Sequence, residues 1–183
     1  MNQGSLSPAP RRRRKPLTEQ KRFEDEGSLF VVFSLATERY GVSIDFVQEI
    51  LKPRNITEIP HTPEYLAGVL NLRGRIVPVV DLRRKLGMAP RPATRATRIM
   101  VTLLDDLTLG MIVDEVVSVR PISQKRIEPA PPMISGAVDS AGVTGLAKID
   151  DTVVTLLDLK EILRRTDAPD LPNRAAEHAG NTP

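Results

Sequence analysis

The sequence predicts an all-β protein with short helices, built as two similar small barrels that share an apolar seam. Three observations carry that reading. First, the apolar residues fall in runs of about five to seven, rich in Val, Ile, Leu and Phe and broken by turn residues, as strands require. Second, segments recur. Ile76 to Leu86, IVPVVDLRRKL, lies over Val153 to Leu163, VVTLLDLKEIL, at an offset of 77. Tyr40 to Ile50 lies over Leu109 to Val119 at an offset of 69, matching Gly41 to Gly110, Asp45 to Asp114 and Val47 to Val116. Third, a repeated unit of roughly 60 residues is marginal alone, so two units gain by burying a common face.

The elements follow in order. Leu29 to Leu35, LFVVFSL, is a dense strand, and Glu38-Arg39 is expected to turn the chain. Tyr40 to Ile44 alternates, which places Tyr40, Val42 and Ile44 on one face. Val47 to Leu51 is a third strand, stopped at Lys52-Pro53. Ala67 to Leu72 and Ile76 to Val80 form a hairpin about Arg73-Gly74, where glycine supplies the permissive backbone. Pro78 lacks an N–H and marks an edge or a bulge. Asp81 caps a short helix with Leu82 and Leu86 on one face and Gly87 at its end.

The second half repeats this grammar. Strands are expected at Arg98 to Leu104, Leu107 to Val113, Val116 to Val119, Val143 to Ile149 and Thr152 to Leu157. Turns fall at Asp105-Asp106 and Asp150-Asp151, and a helix capped by Asp158 closes the half. Leu66-Ala67-Gly68 is matched to Ile134-Ser135-Gly136, with an insertion after Gly136.

Charge marks the domain limits. The 183 residues carry 26 Lys and Arg against 23 Asp and Glu. Residues 1–28 hold seven basic and four acidic groups, which is the whole excess of +3. Residues 1–27 read as a disordered basic tail and 166–183 as a second disordered tail, because both are Pro-rich and lack apolar periodicity. The folded part spans 28–165, with a first barrel at about 28–90 and a second at about 95–165. Deleting residues 1–27 is expected to leave the melting temperature unchanged, which scanning calorimetry of the truncated chain checks.

Little in the chain reads as chemistry. There is no Cys, hence no thiolate nucleophile, disulfide or thiolate metal site. Two histidines, His61 and His178, are too few for a histidine metal centre. No apolar run approaches the length of a membrane span. Asp81 and Asp158 sit where N-caps belong, and no phosphate loop or nucleophile elbow occurs. The chain is therefore not expected to be an enzyme and implies no cofactor and no metal. Arg73 stands out, a forked donor on a rigid hairpin tip that suits either carboxylate recognition or plain solvation.

The motifs FVVFSLATERYGVSIDFVQEIL (Phe30 to Leu51), IPHTPEYLAGVLNLRGRIVPVVDLRRKLG (Ile59 to Gly87), LGMIVDEVVSV and VVTLLDLKEIL together resemble the CheW family, the coupling proteins of bacterial and archaeal chemotaxis. The resemblance covers about residues 28–165. It implies two five-stranded SH3-like barrels around a shared core. It also implies a cytoplasmic, non-enzymatic adaptor at the receptor array. That adaptor links the cytoplasmic tips of transmembrane chemoreceptors to the regulatory domain of the histidine kinase CheA, and further copies of the family can join in rings. Carried over by motif, the receptor-facing residues are Val47, Glu49, Gly68 and Arg73. The kinase-facing residues are Ile127, Glu128 and Met133. The family often has a basic residue before the first Pro of an R-P-A-P-like stretch. This chain has Glu128-Pro129-Ala130-Pro131, which implies a matched change in the partner. Val47 is expected to be an exposed anchor on a strand edge, and Gly68 to admit a partner backbone or to serve a bulge. Two other readings remain open: a scaffold of the same kind in a non-flagellar pathway, and a nucleic-acid-binding barrel using the Arg-rich tail. The neutral body and the lack of interleaved aromatic and basic residues argue against the last.

Overall fold

The computed structural model describes residues 27–131 and 142–164. Residues 1–26 and 166–183 of the tails, Met133, and the matched segment Ile134 to Gly136 lie outside the described residues. The first half supplies strands β1 (Ser28–Leu35), β2 (Glu38–Ser43), β3 (Val47–Leu51), β4 (Leu66–Leu72) and β5 (Arg75–Asp81), then helix α1 (Leu82–Lys85). The second supplies β6 (Arg98–Leu104), β7 (Leu107–Val113), β8 (Glu115–Ile122), β9 (Ile127–Glu128), β10 (Val143–Ile149) and β11 (Thr152–Leu157), then α2 (Leu159–Arg164). Short 3-10 helices lie at Ile44–Phe46 and Gln124–Arg126.

Both sheets mix the halves. One runs β8-β1-β2-β11-β10-β9 and the other β3-β6-β7-β5-β4. The expected division of strands at about 28–90 and 95–165 is therefore not how the hydrogen bonding runs. After β2 the chain crosses at the 3-10 helix into the second sheet, and after β7 it crosses back. The exchange is reciprocal. Val79 pairs in parallel with Gly110, and Leu156 pairs in parallel with Gly41, at positions related by the duplication. The bulges repeat as well. Phe33↔Val116 and Val32↔Ser118 flank one on β8; Thr102↔Val47 and Val101↔Glu49 flank its counterpart on β3. A bulge between Leu66 and Gly68 recurs between Val143 and Gly145. This corrects the alignment: Leu66 to Gly68 corresponds to Val143 to Gly145 at offset 77, not to Ile134 to Gly136.

Each sheet closes on itself. The edge strands β8 and β9 are consecutive in the chain and joined by a 3-10 turn, so β9 at one edge of the first sheet is the bent continuation of β8 at the other. In the second sheet a bridge between Thr57 and Val69 does the same for β4. Three apolar clusters follow from this. Val32, Ala147, Val154 and Leu156 fill one barrel, and their counterparts Val101, Leu70, Val77 and Val79 fill the other. Between the barrels, Phe33, Leu35 and Val42 of the first sheet meet Met100, Met111 and Val113 of the second, with Leu82, Leu159 and Ile162 from the helices. Strand β1 is apolar without a break from Leu29 to Phe33 because it serves both: Val32 faces its barrel and Val31, Phe33 and Leu35 face the shared core. Tyr40, Val42 and Ile44 all join the shared core, as their alternation predicts, and Tyr40 stacks on Phe33 with centroids 5.9 Å apart. Burial, then the hydrogen bond to the Glu38 carboxylate, pushes the Tyr40 phenol above its ordinary range.

Two local expectations differ from the structure. The first turn lies at Ala36-Thr37, not at Glu38-Arg39. Alanine is no turn former, but the Asp114 carboxylate accepts its N–H at 2.8 Å and holds it in the left-handed region at φ 52°. Pro78 lies on an internal strand, yet β5 pairs with β7 only from Val79 to Asp81, so at Pro78 that side has no ladder to break. Asp81 caps α1 as expected, accepting the N–H groups of Arg83 and Arg84, and Asp158 accepts those of Lys160 and Glu161.

Candidate partner-binding site

Arg73 and Gly74 both have positive φ, 54° and 84°, the signature of a two-residue hairpin turn whose twist matches its strands. Asn71 Oδ1 accepts the Gly74 N–H at 2.8 Å and stiffens the tip. From it the Arg73 guanidinium donates to Glu49 Oε2 at 3.2 Å, with the Arg73 side chain 80% exposed and that of Glu49 25% exposed. Glu49 lies on β3, the opposite edge of the same sheet, so closure of the barrel brings the two together. An exposed pair of this kind adds little stability, typically about 0–1 kcal/mol. Its consequence is orientation: Glu49 occupies one donor of the fork and leaves the others toward solvent.

The other residues expected to face a receptor, Val47 and Gly68, are placed differently from expectation. Val47 is half-buried and packs on the shared core, so it is not a free anchor on the edge. Gly68 is buried, with φ 135°, and a Cβ there would lie 2.2 Å from the Thr57 carbonyl oxygen. The backbone that approaches Gly68 belongs to this chain's own Thr57, not to a partner. Gly68 thus shapes the hairpin that carries Arg73.

Of the residues expected to face the kinase, Ile127 and Glu128 fall at the corresponding place on the other barrel. Ile127 is half-buried against that barrel's interior, while Glu128 is exposed. Together they form β9 against Leu146 and Ala147. Glu128's carbonyl oxygen stands over Gly145 as Thr57's stands over Gly68. Sequence reasoning missed a second turn-to-edge ion pair. Offset 77 maps Arg73 onto Asp150, and Asp150 Oδ2 lies 3.3 Å from Arg120 on edge strand β8. The two barrels therefore carry the same device with inverted sign, a base on the turn in one and an acid on the turn in the other. The mapping was available from the repeat.

Among the described residues no group of three His, Cys, Asp or Glu is placed to hold a metal ion, and no helix is long and apolar enough to cross a membrane.

A CheW-like domain model matches residues 29–167. The chain belongs to the CheW family. It is 35% identical to the chemotaxis protein CheW of Helicobacter pylori over 137 residues, 74% of this chain and 81% of that protein. It is 32% identical to the chemotaxis protein CheW of Klebsiella aerogenes over 155 residues, 85% and 93% of the two chains. The crystal structure of the scaffolding protein TtCheW from Thermoanaerobacter tengcongensis superposes with a TM-score of 0.70 at 40% identity, covering 77% of this chain and 94% of that one. The CheW fold accounts for the two SH3-like barrels, and membership makes this chain a chemotaxis scaffold of that family.

Proposed function

We propose that the chain is a non-catalytic, cytoplasmic adaptor at the receptor array. It couples the tips of transmembrane chemoreceptors to the histidine kinase CheA. Receptor contact falls on the Arg73–Glu49 end, with Val47 and Gly68 supporting it from beneath. Kinase contact falls on the stretch of Ile127, Glu128 and Met133. The observation that carries the reading is Arg73: its fork is fixed by a stiff turn and by Glu49, yet its side chain is almost wholly exposed. A preorganised guanidinium loses little freedom when it meets a partner carboxylate.

Replacing Arg73 by alanine is expected to weaken receptor-dependent kinase control at least tenfold, a loss of about 1.4 kcal/mol in binding. The melting temperature should stay within about 2 °C, because only an exposed pair is lost. Reconstituted receptor, kinase and variant chain provide the measurement. Unchanged control would remove Arg73 from the contact, and ATP hydrolysis by the purified chain alone would overturn the non-catalytic reading.

A further inference from the structure

The end of the first barrel holds a cleft of about 310 Å³ that lies apart from both proposed contact ends. Glu115, Ser34 and Arg39 stand in one row across β8, β1 and β2, directly opposite one another in register. They therefore share a sheet face, with the two charged residues roughly 10 Å apart by strand spacing. The loop between the halves forms the other wall and brings Arg91 to the cleft. That wall is fixed. The Thr94 N–H donates to Thr97 Oγ1 at 2.8 Å, and the Arg98 guanidinium donates to the carbonyls of Arg95, Ala96 and Thr97 at 2.8–3.0 Å.

The charges in this cleft are unevenly spent. Asp114 is satisfied by the Ala36 N–H and faces Arg83 Nε at 3.7 Å. Among the described residues, the side chains of Arg39, Arg91 and Glu115 make neither a hydrogen bond nor an ion pair. Two free guanidinium groups against one free carboxylate leave one positive charge to be answered.

The repeat shows what the fold does when this place is closed. At offset 69, Ala36, Asp114 and Glu115 correspond to Asp105, Asp45 and Phe46. There the Phe46 ring packs on the shared core, and Lys160 lies 5.8 Å over it while pairing with Asp105. Ring, cation and acid satisfy one another within the chain. In the first barrel the ring has become Glu115 and the acid has become Ala36, so the cavity is open and the arginines are unanswered.

We propose that this cleft binds a single carboxylate, from an acidic side chain of a partner segment or from a small free acid. The planar fork of arginine suits a carboxylate. Glu115 and Asp114 disfavour a second negative charge, which selects against a phosphate dianion.

The test is amide NMR titration of the full chain with acetate and with a blocked Ala-Glu-Ala peptide, against sodium chloride at equal ionic strength. Saturable shifts are expected at Ala36, Arg39, Thr94, Ala96 and Glu115. Arg39→Gln and Arg91→Gln should each weaken binding at least tenfold, and Glu115→Gln should tighten it at least threefold. Each variant's own spectrum confirms that it is folded. A tighter fit for the peptide assigns the site to a partner side chain, and an equal fit assigns it to free acids. Shifts that do not saturate, or that persist unchanged in both arginine variants, would overturn the proposal. So would weaker binding by Glu115→Gln, which would show that the cleft takes a cation.

Discussion

Gly68→Ala is expected to destabilise the protein by about 2–4 kcal/mol, a fall in melting temperature of roughly 5–12 °C for a chain of this size. Two penalties coincide. The backbone sits at φ 135°, where an L side chain is strained, and the new Cβ would lie 2.2 Å from the Thr57 carbonyl oxygen and 2.8 Å from its carbon. Neither obstacle is a flexible side chain. Relief requires moving Thr57 away from β4, which breaks the paired hydrogen bonds Thr57 N–H to Val69 O at 2.8 Å and Val69 N–H to Thr57 O at 2.9 Å. Those bonds close the second barrel, so the damage reaches the hairpin that carries Arg73. Gly74→Ala is the control. Its φ is 84° but nothing lies within 4 Å of the added Cβ, so only the left-handed strain of about 1 kcal/mol remains. Thermal denaturation of the two variants checks the order. Equal melting temperatures would mean that Thr57 can move freely and that the bridge does not close the barrel.

The duplication made most of this fold legible, and its limits are physical. Strand period, capping aspartates and turn residues are local properties, so the hairpins at Arg73-Gly74, Asp105-Asp106 and Asp150-Asp151 and both capped helices stand where the sequence places them. Offsets state which residues are equivalent but not which half each strand pairs with. The crossing at Ile44–Phe46 is a long-range decision, and no local pattern carries it. The Ala36 turn was hidden for a similar reason, since its determinant, Asp114, lies 78 residues away. At the candidate site Arg73 and Glu49 were each readable, but their pairing across 24 residues follows only from closure of the barrel. Gly68 illustrates the remaining ambiguity: a glycine after a strand start admits a partner backbone or the chain's own, and only the position of Thr57 decides between them.

The shared core yields the largest expected effect. Val80→Asp and Leu157→Asp should each unfold the whole protein. The two residues are equivalent at offset 77 and only 3% and 6% exposed. Leu157 belongs to the cluster between the barrels, and Val80 lies opposite Met111 of that cluster, while their neighbours Val79 and Leu156 fill the barrel interiors. A carboxylate at either place is buried without a partner, which costs several kcal/mol. A domain of this size holds about 5–15 kcal/mol in total. Because both sheets take strands from both halves, neither barrel has an independent chain segment to fall back on. Loss of the seam therefore removes both barrels together. Milder versions, Val80→Ala and Leu157→Ala, keep enough structure to measure, and each should lower a single calorimetric transition rather than split it. Two separated transitions would mean that one barrel survives the loss of the other. The strand exchange would then not couple them, and the fixed relation between the Arg73 end and the Glu128 end, on which the proposed bridging of two partners rests, would be lost.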